Sequence, residues 1–160
     1  MTEFASTELE AGWGYIEQRL DALVTLLAGR STVELNWRPP APEANSIYVL
    51  ATHTLANARQ GLLVVMCGRA DDRNRDAEFR ATGDSTKPIE QRWEELRGEF
   101  RSCLAALTPD RLDETITHPR QGEMTGREVL LLVATHAAEH LGQAELTRDL
   151  FAANGPESTL

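Results

Sequence analysis

Two histidines stand four residues apart in Thr135-His136-Ala137-Ala138-Glu139-His140-Leu141-Gly142-Gln143. On a helix that spacing sets both imidazoles on one face, one turn apart. Two neutral imidazoles so placed can grip one metal ion. A third histidine, His53, lies inside another apolar run, three residues after Leu50 and four before Asn57. In both runs the histidines fall on the apolar stripe, which on a packed helix faces inward. A buried imidazole needs a partner for each nitrogen, from a hydrogen bond or from a metal. Three inward histidines among the four in the chain favour one shared site over three separately satisfied core residues.

Three nitrogen donors would leave a coordination position open, as catalytic rather than structural zinc requires. Imidazole also suits nickel, iron and copper, so ligand type does not choose the ion. Such a site would acidify a bound water or take an incoming thiol as its thiolate. The string His136-x-x-Glu139-His140 also matches the HxxEH motif of inverted zinc proteases. Those enzymes need a further ligand well downstream, and only residues 141–160 follow His140, so that reading is set aside.

Weaker candidates surround the trio. Glu139 reads first as a helix-surface carboxylate that Arg127 or Arg148 could neutralise, and second as a general base. Asn57 and Gln143, each about a turn beyond a histidine, could hydrogen-bond near an ion or hold helices together. Trp37 reads as a loop residue plugging the core before it reads as a substrate wall. Arg38 beside it could bind a substrate carboxylate. His118, next to Pro119 in a turn-like segment, is expected at the surface.

Four long segments of helical periodicity would position these residues. The first runs from about Thr7 to Ala28, with Trp13, Ile16, Leu20, Leu23, Val24 and Leu27 as its stripe and Gly29 as a C-terminal cap. The second follows an N-cap at Asn45 or Ser46 and continues to Cys67-Gly68. The third starts near Thr86, with Pro88 in its first turn, and ends by Thr108-Pro109. The fourth opens on Thr125-Gly126-Arg127-Glu128, a capping-box pattern. It runs through Val129, Leu132, Val133, His136, His140 and Leu146, and Asn154-Gly155-Pro156 stops it. Of the connections, Arg30 to Ala44 is too proline-rich for regular structure, and Arg69 to Gly83 is highly charged and expected to be exposed. Residues 110 to 124 should hold a short helical turn and an extended piece around Thr115-Ile116-Thr117. Segments about 30 Å long pack most simply side by side, so the expected fold is all-α, a four-helix bundle.

Composition bounds the partners. The chain has 160 residues, 41% of them hydrophobic, which suits one domain over residues 1–160 with a sizeable core. A net charge of -9 and a single lysine, Lys87, leave no basic face for nucleic acid or for an anionic membrane. No apolar run is long enough to span a bilayer. The acidic N-terminal stretch does not have the form of a signal peptide. Cys67 and Cys103 form no CxxC pair and sit in apolar helical contexts; they are expected to be buried free thiols in a reducing cytoplasm.

Three stretches carry a family likeness: Asn36-Trp37-Arg38-Pro39, Ser46-Ile47-Tyr48-Val49-Leu50-Ala51-Thr52-His53, and His136 through Gln143. In order and spacing the chain resembles the DinB/YfiT-like metalloenzyme superfamily, above all its branch of mycothiol- and bacillithiol-dependent transferases. The resemblance implies an antiparallel four-helix bundle with an unusual crossover, often dimeric. It also implies a divalent metal, typically zinc or nickel, on three histidines that correspond to His53, His136 and His140.

The expectation that follows is a cytoplasmic metal-dependent thiol S-transferase, joining a low-molecular-weight thiol to a small electrophile. A metal-dependent hydrolase of a small substrate, with Glu139 or another carboxylate as base, is the second reading. A non-catalytic, stress-linked metal-binding or dimerisation module is the third.

Overall fold

Serine side chains open three of the helices, and each does so by accepting a backbone N–H that the first turn would otherwise leave unpaired. Ser6 accepts from Leu9 at the start of α1 (Thr7–Leu27), Ser31 from Glu34 at α2 (Thr32–Asn36), and Ser46 from Val49 at α3 (Ile47–Arg59). The structure, a computed structural model, describes residues 4–154. After α3 the chain winds on as a π-helical segment, Gln60–Met66. Next come α4 (Arg75–Glu78), α5 (Lys87–Ala105) and a 3-10 turn (Pro109–Leu112). An antiparallel hairpin, β1 (Thr115–His118) with β2 (Gly122–Thr125), leads into α6 (Gly126–Asn154).

The fold is predominantly helical. The four long segments expected from periodicity are present, the second being α3 plus the π segment. Among the described residues there are also two short helices and the hairpin. Gly29 follows α1 with φ +72, the left-handed conformation that glycine takes without penalty. Thr125 and Glu128 close the expected capping box on α6. The expected stop at Gly155-Pro156 and the first three residues of the N-terminal stretch lie outside the described residues.

One core joins the long helices. The α1 stripe from Leu9 through Trp13, Ile16, Leu20 and Leu23 to Leu27 is buried, and α1 packs on α6, α5 and α3. Trp13 and Trp93 both approach the fully buried Phe100, at 6.0 and 6.4 Å between ring centroids. The indole N–H of Trp93 donates to Asp21 at 2.6 Å, so the ring is buried with its polar atom satisfied. The π segment closes tightly on α6, because a side chain at Gly61 would collide with Val133.

Five expectations need correction. Residues 32–36 are helical although they precede a proline pair, because Ser31 and Glu34 form a reciprocal capping box and the prolines come only after the helix has ended. The charged stretch 69–83 is not wholly exposed: Arg73 and Glu78 are buried with each other as partners. His118 is also buried, because the hairpin turn folds over it and the N–H groups of Arg120 and Gln121 donate to its Nδ1 at 3.1 and 3.3 Å.

On α6, Leu146 is 59% exposed. The buried stripe there runs through Val129, Leu130, Val133, Ala137, Ala144 and Thr147. Cys67 and Cys103 are not free thiols but a disulfide. The end of the π segment and the end of α5 come side by side, with Cα atoms 6.3 Å apart, a separation a disulfide spans. A sequence separation of 36 hid that proximity. Among the described residues no helix is long and apolar enough to cross a membrane.

Candidate metal centre

The mutual packing of α3 and α6 brings the three histidines together. His53 is buried on α3, and His136 and His140 are half-buried at the edge of the α6 stripe. Nε2 of His136 lies 3.1 Å from Nε2 of His53 and 3.1 Å from Nε2 of His140. One donor nitrogen from each ring falls within 4.8 Å of the others.

Protons decide what this arrangement can hold. Nδ1 of His53 is 2.7 Å from Oε2 of Glu78. A carboxylate only accepts, so that nitrogen carries the hydrogen, and in the neutral ring Nε2 is then left with a bare lone pair. Nδ1 of His140 likewise donates to Oε1 of Gln143 at 2.7 Å, which leaves its Nε2 bare. Both bare nitrogens face the same Nε2 of His136. One hydrogen there serves one neighbour and not the other, so at least one 3.1 Å contact sets acceptor against acceptor. A cation among the three would turn that repulsion into attraction. Two nitrogens on a tetrahedral zinc ion are about 3.3 Å apart, given Zn–N bonds of about 2.0–2.1 Å, and the observed separations lie close to that. The cluster is therefore capable of coordinating a metal.

Electrostatics favour the neutral form of His136 and His140. Burial, followed by the neighbouring His140, His53 and Arg73, pushes the pKa of His136 down to about 3, against an opposing effect of Glu78. Burial lowers His140 as well; the Gln143 bond opposes this, His53 adds to it, and Glu139 opposes it. Neutral imidazoles at pH 7 are the form that binds metal.

The charged stretch supplies a group that periodicity did not reveal. Arg73 forks onto Glu78, Nε to Oε1 at 2.8 Å and Nη2 to Oε2 at 2.9 Å. Burial pushes the Glu78 carboxyl up, but the hydrogen bonds from Arg73 and His53 and the charge of Arg73 outweigh it and hold its pKa at about 2. Glu78 is thus ionised, and it anchors His53 from 25 residues away. Phe79 packs on the His53 ring at 4.6 Å between centroids. The one hint in the sequence was a carboxylate and an arginine, five residues apart, within a run that composition assigned to solvent.

The weaker candidates separate. Gln143 joins the cluster through His140. Arg38 does not face it: its Nη2 donates to the backbone carbonyl of Phe79 at 2.8 Å and Nη1 to Asn45 at 3.3 Å, so it ties down the segment that carries Phe79. Trp37 packs edge-on against Phe151 at 5.6 Å, toward the far end of α6. Asn57 is half-buried on α3 and makes no hydrogen bond to the three histidines among the described residues. Glu139 is exposed, and the arginines expected to neutralise it are engaged elsewhere. Arg127 pairs with Glu8 and Asp113, and Arg148 with Asp149.

A predominantly helical protein with three converging imidazoles between two helices defines a class of candidate metal-binding helical proteins. The sequence profile of the DinB superfamily matches residues 15–144, and the chain belongs to that superfamily. Among solved structures it is similar to a conserved protein from Enterococcus faecalis, with TM-score 0.72 and 16% identity over 91% of this chain and 97% of that one. It is also similar to a DinB-like protein from Bacillus cereus ATCC 10987, with TM-score 0.69 and 17% identity over 94% of each chain. At these identities the likeness concerns the fold. No functionally curated protein matches the sequence.

Proposed function

We propose that this protein is a divalent-metal-dependent enzyme in which His53, His136 and His140 are the ligands, and that its reaction joins a low-molecular-weight thiol to a small electrophile. The observation that carries the metal reading is the convergence of three Nε2 atoms whose lone pairs have too few hydrogens to share. The choice of zinc or nickel draws on the family resemblance, since imidazole nitrogens themselves also suit iron and copper. When bound, the ion supplies Lewis acidity that lowers the pKa of a thiol or water reaching it. The protein's own part is to hold the rings in the Nε2-out tautomer, through Glu78 on one side and Gln143 on the other.

The transferase reading, in the mycothiol/bacillithiol branch of the superfamily, draws on the sequence resemblance. A hydrolase would need a base near the ion, and its best candidate, Glu139, is exposed and makes no hydrogen bond to the histidines among the described residues. The transferase is therefore placed first. We read the architecture as one four-helix-bundle domain over residues 1–160. The net charge of -9 favours a small-molecule substrate over nucleic acid. A homodimer would give cover to exposed apolar residues such as Leu131, 60% exposed. The cytoplasmic location remains an expectation, and the Cys67–Cys103 bridge is at odds with a strongly reducing compartment.

Elemental analysis of protein purified without added metal, beside the three single histidine-to-alanine variants, tests the ligand set. About one ion per wild-type chain and a loss in each variant is expected; full metal content in the variants would sink it. A panel of thiols with electrophiles, run beside amides and esters, tests the reaction. Ester or amide cleavage with no dependence on thiol would favour the hydrolase. No metal, and no thermal shift with zinc or nickel, would favour a non-catalytic module.

A further inference from the structure

The stretch between the π segment and α5 is the most charged of the chain, yet the side chains of Arg73 and Glu78 within it are buried beside the histidine cluster. Arg73, which grips Glu78, is itself held. Its Nη1 donates to Oε1 of Gln60 at 2.9 Å. Nε2 of Gln60 donates in turn to Oδ2 of Asp71 at 2.7 Å. The backbone N–H of Arg73 closes the circuit on Oδ1 of Asp71 at 3.1 Å. Gln60 is a buried glutamine and the first residue of the π segment. Every polar group in this circuit has a partner. The cost of burying a charged pair is offset by a closed set of hydrogen bonds, and such a set has one geometry.

We propose that Glu78, clamped by Arg73 and Gln60, is the positioning residue that fixes the orientation and tautomer of His53 for a metal ion, so that this stretch sets the metal affinity of the site. The inference rests on the metal reading above. Helix packing places the His53 backbone; the ring's rotation is decided by what Nδ1 meets. With Glu78 in place, Nδ1 keeps its hydrogen and Nε2 points at its two counterparts. Without it, the ring can turn, or take the other tautomer, and the cluster loses one donor. Gln60 acts one step further out, by keeping the guanidinium fork in register with the carboxylate.

The test is the zinc dissociation constant, measured by competition with a chromophoric chelator, together with the visible spectrum of the cobalt(II)-substituted protein and the melting temperature of the metal-free protein. Glu78→Ala should raise the zinc Kd ten- to hundredfold, the usual cost of losing the partner of a ligating histidine, and alter the cobalt spectrum. Glu78→Gln, whose amide oxygen can still accept from Nδ1, should recover part of the affinity. Gln60→Leu retains Glu78 and Arg73 and should raise Kd a few-fold. It keeps the inference testable if Glu78→Ala does not fold. A wild-type Kd and an unchanged cobalt spectrum in the Glu78 variants, or in Gln60→Leu should Glu78→Ala not fold, would overturn it. A merely structural role would lower the melting temperature and leave both readouts unmoved. Wild-type protein that binds no zinc would instead overturn the metal reading, which distinguishes the two failures.

Discussion

His53 and His140 both present Nε2 to His136, yet what holds each ring differs. His53 is buried and donates to an ionised carboxylate brought in at the end of α4 and gripped by an arginine. His140 is half-buried and donates to a neutral, exposed glutamine three residues further along its own helix. The first is a charge-assisted bond in a tertiary network; the second is a local contact that water can replace. One flank of the cluster is built to fix a ring, and the other faces solvent. The comparison implies that damage to the two flanks has unequal consequences.

The largest effect expected is on metal affinity itself. His53→Ala and His136→Ala should raise the zinc Kd about a thousandfold or more, since each removes one of only three donors and His136 touches both of the others. His140→Ala should do less, because water can take the vacated position on the open flank. Chelator competition on all three variants checks this; equal losses at His53 and His140 would erase the difference between the flanks.

Acid should weaken the metal-free protein next. The folded pKa of His136 is about 3, against about 6.5 in an unfolded chain. Between those values the unfolded chain binds the proton and the folded one does not. Stability from this group is therefore full above pH 6.5 and is lost as the pH falls toward 3. Melting curves in chelator from pH 7.5 to 4 should show the decline, and His136→Asn should flatten it. Parallel slopes for the two proteins would mean that His136 is not the group responsible.

The disulfide asks where the rigidity of the His53 flank comes from. Cys67 directly follows the segment that begins with Gln60, and it is tied to α5 across 36 residues. A loop of that length contributes about 3–4 kcal/mol by constraining the unfolded chain. Cys103→Ser should lower the unfolding free energy by roughly that amount and leave the zinc Kd within about threefold. A metal affinity that fell as far as in Glu78→Ala would place the bridge, and not the hydrogen-bond circuit, in control of the flank.

What could be read from the residues alone follows the same division. The open flank lies on one helix, and its spacing of four was visible, as were Gln143, the Ser46 cap and the Thr125–Glu128 box. These are local relations, and helical periodicity carries them. Glu78 and Arg73 escaped because a four-residue helix and the turn before it are too short to show a period, and because a buried ion pair has the composition of a solvated one. The cysteine pair and the burial of His118 escaped for a related reason: each depends on which ends of distant elements come together. Pro39 and Pro40 masked α2, since they exclude helix after Asn36 and not before it. His53 stands between these cases; its helix was legible and its anchor was not.

The smallest effect is the most pointed test of the comparison. Gln143→Leu removes the acceptor for the Nδ1 hydrogen of His140 and adds no charge. Because that nitrogen is on the exposed side of α6, water can accept the hydrogen instead, so the ring keeps its tautomer and loses only a preferred rotation. The zinc Kd should rise less than tenfold, about 1 kcal/mol for a neutral hydrogen bond, and less than in Glu78→Ala. The contrast comes from the environment of each bond and not from its length, since both are 2.7 Å. If Gln143→Leu cost as much as Glu78→Ala, burial and charge would add nothing at His53, and the flanks would differ in appearance alone.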